Sequence, residues 1–230
     1  MRLVGKPGMA AVTYGPCTLA TEVDGVPVTI TEETDYPFSE AIQFTISPAQ
    51  SVDFALCLRK PGWAEDVEIV GAVASEEQLG YFVIDKRWSA GEAFSLTFKA
   101  PVEVLPYPTG EVAVRRGALQ YVLPVACDLH PTKDYPVGLF HDYDGTPHDL
   151  EQAYERLILD ETRPGYGLVF ETNPVVDMNR AWERPPVQLK TGATPLVPMG
   201  CTVLRRASFP LTRAGPSINF DRLRSRSPEK

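Results

Sequence analysis

Ala41-Ile42-Gln43-Phe44-Thr45-Ile46-Ser47 and, after a short polar break, Val52-Asp53-Phe54-Ala55-Leu56-Cys57-Leu58 carry large apolar side chains at every second position. A period of two puts Ile42, Phe44 and Ile46 on one face of an extended chain, whereas a helix would scatter them around its axis. The same alternation recurs at Val26, Val28 and Ile30 and at Phe94, Leu96 and Phe98. Asp24-Gly25 separates two strand patterns as a tight hairpin, and Pro61-Gly62 and Ala90-Gly91 interrupt the later runs. Half-buried strands with turns about every 8–12 residues predict a sandwich. The expected fold class is therefore all-β, with two consecutive antiparallel β-sandwich domains of jelly-roll type and at most one short helix.

The first sandwich is assigned to residues 1–105. Leu105-Pro106-Tyr107-Pro108-Thr109-Gly110 breaks the alternation and is read as a hinge, and a second sandwich follows over residues 106–212. Its strands are expected at Val112-Ala113-Val114, at Leu119-Gln120-Tyr121-Val122-Leu123 and near residues 166–171, 186–190 and 201–209. Between Asp128 and Pro147 the pattern dissolves into loop residues. Leu150, Ala153, Tyr154, Leu157 and Ile158 fit one helical face with Asp149 as N-cap, and an extended segment is the alternative there. Residues 213–230 hold five basic and two acidic side chains and read as a disordered basic tail, with a phosphorylation or localisation segment as the alternative.

Composition sets the outer bounds. At 43% hydrophobic and 10% aromatic residues the chain can build a core, and 230 residues suit two ordinary domains. The formal charge of −8, carried by the body because the tail is basic, argues against a nucleic-acid partner. No apolar run approaches the ~20 residues that span a bilayer, and Met1-Arg2-Leu3-Val4-Gly5-Lys6 lacks an apolar signal core. The sequence as written is expected to be soluble and cytoplasmic, with no membrane partner; a signal on a preceding domain would change that expectation.

Few residues invite chemistry. Cys17, Cys57, Cys127 and Cys201 contain no close pair of the kind that presets half of a tetrahedral metal site, and they are read as buried, reduced thiols; an even count also permits disulfides. Glu32, Glu33 and Asp35 form the densest acidic cluster, beside Tyr36. A glycosidase needs two carboxyl groups set across a sugar, but alternation puts Glu33 and Asp35 on one side, so a solvated strand end is the simpler reading. His141, Asp142, Asp144 and His148 are of metal-binding types; a calcium loop fails because Pro147 stands where glycine is needed, and a surface loop is favoured. Tyr36, Trp63, Tyr81, Trp88 and Trp182 are candidates for carbohydrate or domain contact, since aromatic faces stack on sugars. Trp63 and Trp88 equally suit a core or docking role, and Trp182, in a polar stretch, is the ring expected to be exposed.

One ordered set of motifs goes further. Tyr14-Gly15-Pro16, Glu33-Thr34-Asp35-Tyr36-Pro37-Phe38, Leu58-Arg59-Lys60-Pro61-Gly62-Trp63-Ala64, Gly80-Tyr81-Phe82-Val83-Ile84, Gly91-Glu92 and Val112-Ala113-Val114-Arg115-Arg116-Gly117 follow one another, with weaker likeness at Arg184-Pro185-Pro186-Val187 and Gly200-Cys201-Thr202. The series resembles the region after the catalytic barrel in glycoside hydrolase family 127, the β-L-arabinofuranosidase type. That resemblance implies two β-sandwiches without the helical (α/α)6 barrel, which would carry the family's cysteine nucleophile, its zinc and its glutamates. No catalytic residue and no cofactor of this chain follows from it. Three functions are compatible: a non-catalytic accessory region, shortened or remnant; a glycoside hydrolase when an intact protein or a second chain supplies the barrel; and a stand-alone carbohydrate-binding module. The implied partners are a carbohydrate or the barrel, and surface left bare by a missing barrel would favour self-association.

Overall fold

The computed structural model describes residues 2–3, 6–75, 79–107, 109–136, 141–148, 159, 165–173, 177–192 and 194–211. The segment 150–158 and the tail 213–230 lie outside the described residues. Nine strands build the first unit: β1 (Arg2–Leu3), β2 (Lys6–Ala11), β3 (Cys17–Val23), β4 (Val26–Thr34), β5 (Ala41–Pro48), β6 (Val52–Arg59), β7 (Asp66–Val70), β8 (Tyr81–Trp88) and β9 (Glu92–Lys99). They form a five-stranded sheet in the order β3-β4-β5-β9-β7 and a four-stranded sheet in the order β1-β2-β6-β8.

The alternation in the sequence is what closes these sheets on each other. Val28, Ile30, Ile42, Phe44, Ile46, Phe94, Leu96 and Phe98 from one sheet meet Phe54, Leu56, Leu58, Ile84 and Trp88 from the other in a single core. Phe44 and Phe94 lie opposite each other across the β5–β9 ladder and stack at 4.9 Å. One pairing departs from the antiparallel expectation: β2 runs parallel to β6, with Met9 opposite Leu56. Parallel neighbours need a long crossover, and the five-stranded sheet's first three strands supply it.

The second unit contains β10 (Val102–Pro106), β11 (Val112–Arg116), β12 (Leu119–Pro124), β13 (Cys127–Asp134), β14 (His141–Pro147), β15 (Val169–Thr172), β16 (Val187–Thr191), β17 (Thr194–Pro198) and β18 (Arg205–Arg206), with 3₁₀ turns at Met178–Arg180 and Met199–Cys201. Its main sheet runs β10-β11-β12-β17-β16-β15, and β18 pairs with the last two residues of β12, Leu123 and Pro124. Val114, Tyr121, Leu123, Leu189, Leu196 and Phe209 are its buried centre.

Three expectations change. The Pro/Gly segment after Leu105 is no hinge: Val102 to Pro106 pairs with Val112 to Arg116, so that segment is the loop of a hairpin and the change of unit falls between Lys99 and Val102. The stretch expected as loop, Asp128 to Pro147, is mostly a two-stranded ribbon of β13 and β14 with a register shift between Pro131 and Lys133. Cross-strand pairing orders it despite a composition rich in Asp, His, Pro and Gly, which carry little strand propensity. Of the four thiols only Cys57 is buried; Cys17 is exposed, Cys127 and Cys201 are half-buried, and all four are free.

Candidate functional site: the junction end of the first sandwich

Strand polarity brings the motif residues to one end. Thr34 ends β4 opposite Ile42 near the start of β5, Ala41 faces Thr97 near the end of β9, and Arg59 ends β6 opposite Tyr81 at the start of β8. Arg59 at the end of β6 is joined here by Tyr14, from the segment after β2, and by Tyr36, Phe38, Glu40 and Trp63 from the loops that follow β4 and β6.

Tyr14 organises the cluster. Its hydroxyl donates to the carbonyl of Arg59 at 2.6 Å, and its ring lies 5.3 Å from Phe98 and 6.1 Å from Tyr36. The next residue, Gly15, donates its N–H to Glu32 Oε1 at 2.7 Å, and Arg59 Nη1 donates to the carbonyl of Val12 at 3.3 Å. The segment between β2 and β3 is thus strapped to both sheets. Burial raises the Tyr14 phenol well above its usual range, and the Glu32 carboxylate raises it further. It therefore stays a neutral donor. Burial also raises Glu32, against the Gly15 N–H, and raises Tyr36, where Arg59 opposes and Glu40 adds.

On the outer face of the five-stranded sheet a groove of about 320 Å³ is lined by Glu33, Thr34, Asp35, Ser39, Ala41, Ile42, Gln43 and Ser95. No aromatic ring lines it. Two of its hydroxyls hold the turn: Thr34 Oγ1 donates to the Ala41 carbonyl and accepts from the Tyr36 N–H, and Ser39 Oγ accepts from the Ala41 N–H. Glu33 and Asp35 line the groove from one strand end, whereas glycoside hydrolysis requires carboxyl groups on opposite sides of a substrate. Glu32, which precedes them in the sequence cluster, points instead to Gly15.

The aromatic candidates separate by burial. Trp88 is 1% exposed, its Nε1 donates to the Phe54 carbonyl at 3.1 Å, and no face is open to a sugar; it is core. Trp63 packs edge-on against Phe98 at 5.5 Å and lies against Gly117 of the second unit. Tyr36 and Tyr81 are half-buried around Tyr14 and Arg59. Trp182 is 50% exposed, seated on Phe38 at 4.7 Å and on Gly200.

The histidine candidates do not converge. His141 meets Asp134 at the ribbon tip at 2.7 Å, while His148 meets Asp128 at its base at 2.9 Å. The length of a seven-residue strand, roughly 20 Å, separates the two pairs. Among the described residues no group of three or more His, Cys, Asp or Glu side chains is placed to hold a metal ion. A cysteine-rich zinc centre does not fit this chain, since Cys57 is buried on β6 between Ala10 and Val83, Cys127 is at the ribbon base, and Cys201 has its Sγ on the Ala181 carbonyl.

Several residues that shape this end were not singled out by sequence reasoning. Phe38 leaves the first sandwich and is buried in the second unit's core. Glu40 and Arg116, 76 residues apart, form a two-pronged ion pair across the junction. The apolar Phe38 beside a turn was a legible signal; the ion pair had none, because nothing local matches its partners.

Residues 8–100 match the family model described as "Beta-L-arabinofuranosidase, GH127 middle domain". No curated protein matches the chain in sequence. Among solved structures, a GH127 β-arabinofuranosidase is 18% identical, with a TM-score of 0.53 over 91% of this chain and 36% of that one. A protein described as a glycoside hydrolase is 20% identical, with a TM-score of 0.50 over 89% of this chain and 36% of that one. A GH127 β-L-arabinofuranosidase from Geobacillus stearothermophilus T6 is 23% identical, with a TM-score of 0.45 over 61% and 30%. The chain spans about a third of the length of these proteins. The first sandwich is thus similar to a GH127 middle domain, and the chain as a whole shares the fold of the β-sandwich region. Among the described residues no helix is long and apolar enough to cross a membrane.

Proposed function

We propose that this chain is a non-catalytic accessory region of the kind that accompanies a β-L-arabinofuranoside-cleaving catalytic domain. One observation carries the reading: the motif residues shared with that family are consumed in holding the molecule together. Tyr14 and Arg59 strap the first sandwich, while Phe38, Trp63 and Arg116 fix it to the second unit, Arg116 through its ion pair with Glu40. Side chains already committed to packing and to each other are poorly placed to act as acid, base or nucleophile. Exposed Val12 and Leu19 near the start of the chain support a surface that a further domain, or a second copy, would cover.

Hydrolysis of an aryl β-L-arabinofuranoside by the purified chain, with zinc and reductant present and a full-length GH127 enzyme as control, tests the proposal. No turnover beside an active control is the expected result. Turnover that survives re-purification would place catalytic groups on the sandwiches and overturn it.

Trp182 favours one further reading, a carbohydrate-contact ring. It is the half-exposed tryptophan, it is rigidly seated, and the Arg180–Glu183 ion pair lies beside it in sequence. Quenching of tryptophan fluorescence by arabino-oligosaccharides, absent in Trp182→Ala, is the outcome that this reading requires.

A further inference from the structure

The outward positions of the five-stranded sheet, which alternate with buried Ile30, Ile42 and Phe44, carry short uncharged side chains at its centre. Thr18, Thr31 and Thr45 form one cross-strand row, and Ala20, Thr29 and Ser47 form another. Toward the junction end the next row differs: Glu33, Gln43 and Ser95 lie side by side on β4, β5 and β9. Three neighbouring strands spread them over roughly 10 Å. This row floors the groove of about 320 Å³, and the turn after β4 walls it with Asp35 and Ser39. The wall is held in place: the Phe38 N–H donates to the Asp35 carbonyl at 2.9 Å, and Phe38 itself is buried in the second core. The groove is therefore preformed, which lowers the cost of filling it.

Donor and acceptor content decides the ligand. The Thr34 and Ser39 hydroxyls are taken by the turn, but among the described residues no partner engages the side chains of Glu33, Asp35, Gln43 and Ser95. Glu33 and Asp35 only accept, and their like charges repel phosphate, sulfate and carboxylate ligands. Ammonium and guanidinium groups only donate, so a cation would leave the Gln43 amide N–H groups and the Ser95 O–H unanswered. Among the described residues no third His, Cys, Asp or Glu joins the two carboxylates to make a metal site. A hydroxyl group both donates and accepts: it gives its proton to a carboxylate and takes one from Gln43 or Ser95. Adjacent hydroxyls on one ring present that combination more than once, while Ala41 offers a methyl group to the ring's C–H groups. The volume is at the lower end of small-molecule sites and suits one such ring. We infer that the groove is a binding subsite for a single neutral sugar residue, held through adjacent hydroxyls by Glu33, Asp35, Gln43 and Ser95. It is built from residues other than Trp182 and does not rest on that ring.

Saturation-transfer NMR on the full chain, with methyl glycosides of pentoses and hexoses as probes, tests this. Transfer to at least one glycoside is expected. Gln43→Ala and Glu33→Ala, which alter exposed outward side chains, are each expected to weaken binding about 10-fold, the scale of one or two lost hydrogen bonds. Thr31→Ala on the neighbouring row and Trp182→Ala are expected to leave it unchanged, and a deoxy glycoside lacking one of two adjacent hydroxyls is expected to bind more weakly. The absence of transfer to every glycoside overturns the inference, as does transfer that Gln43→Ala and Glu33→Ala leave intact. Transfer abolished by Trp182→Ala alone assigns sugar binding to that ring and overturns the groove as its site. Displacement of the glycoside by methylguanidinium at equal concentration, reversed by raised salt, identifies a cation site and overturns the inference as well.

Discussion

Arg116 and Glu40 clasp each other across the junction of the two units, Nη2 to Oε2 at 3.1 Å with Nη1 on Oε1, while the guanidinium plane lies 3.6 Å from the Phe170 ring centroid. Both side chains are mostly sheltered, at 15% and 19% exposure. Each half of the pair is held by its own unit: the Glu40 carbonyl accepts from the Phe98 N–H, and Arg116 ends β11 opposite Leu119. The relationship fixes the orientation of one unit on the other as well as their contact.

Removing one partner strands the other charge in a half-buried site, so Glu40→Ala is expected to cost about 2–3 kcal/mol. Arg116→Lys is expected to recover only part of that, because an ammonium makes neither the two-pronged contact nor the stacking on Phe170. Calorimetry checks both: a single transition in the parent chain that splits in Glu40→Ala would report uncoupled units. An unchanged melting profile would show that the clasp contributes little.

Thiol accessibility gives a second check on the fold. Cys17 is exposed, whereas Cys57 is buried with its thiol raised by burial, and burial pushes Cys201 up to about 11. A disulfide reagent at pH 8 is expected to label Cys17 quickly, Cys201 slowly, and Cys57 only when the first sandwich unfolds. Fast labelling of Cys57 in native protein would contradict its place between Ala10 and Val83.

The strands of the first sandwich were legible because each one has a wet face and a dry face: Ile42, Phe44 and Ile46 are buried while Gln43 and Thr45 are not. The parallel β2 was not legible, since pairing direction leaves no mark on the alternation of Met9 and Ala11. The ribbon was hidden for a related reason: Asp, His, Gly and Pro signal turns, and only the cross-strand partners reveal that Leu129 and Tyr143 share a face. The boundary was misplaced because Pro106, Pro108 and Gly110 make a hairpin loop and a linker look alike in sequence. At the candidate site the aromatic types were visible, but burial decides their role, and Trp88 and Trp182 differ only in what packs around them.

Glu32 makes the junction end sensitive to pH in a stated direction. Its folded pKa is raised above the unfolded value by burial, so near and above the usual carboxylate range the folded state binds more protons than the unfolded one. The associated stability is fully present below the unfolded value and is lost as pH rises through the folded one. Glu32→Gln keeps an oxygen for the Gly15 N–H without the charge, and is expected to be more stable than the parent at pH 7 and indistinguishable from it at pH 4. Chemical denaturation at the two pH values measures this. A variant that is less stable at pH 7 would mean that the charge, through Gly15, holds the strap.

Gly200 is set by contact and not by backbone conformation. A Cβ built there would fall 2.7 Å from Cζ3 and 2.9 Å from Cε3 of Trp182, closer than carbon atoms approach. The ring cannot retreat inward because Phe38 lies behind it at 4.7 Å, so Gly200→Ala must push the indole outward or shift the 3₁₀ turn Met199–Cys201. The expected cost is about 1–3 kcal/mol, the usual scale of overpacking, together with a red shift of tryptophan emission as Trp182 gains solvent. Gly62, with nothing within 4 Å of the same virtual atom, serves as the control: Gly62→Ala is expected to leave both stability and emission nearly unchanged. If Gly200→Ala also leaves emission unchanged, then Trp182 is not seated on that turn, and the rigid platform on which the carbohydrate-contact reading depends is lost with it.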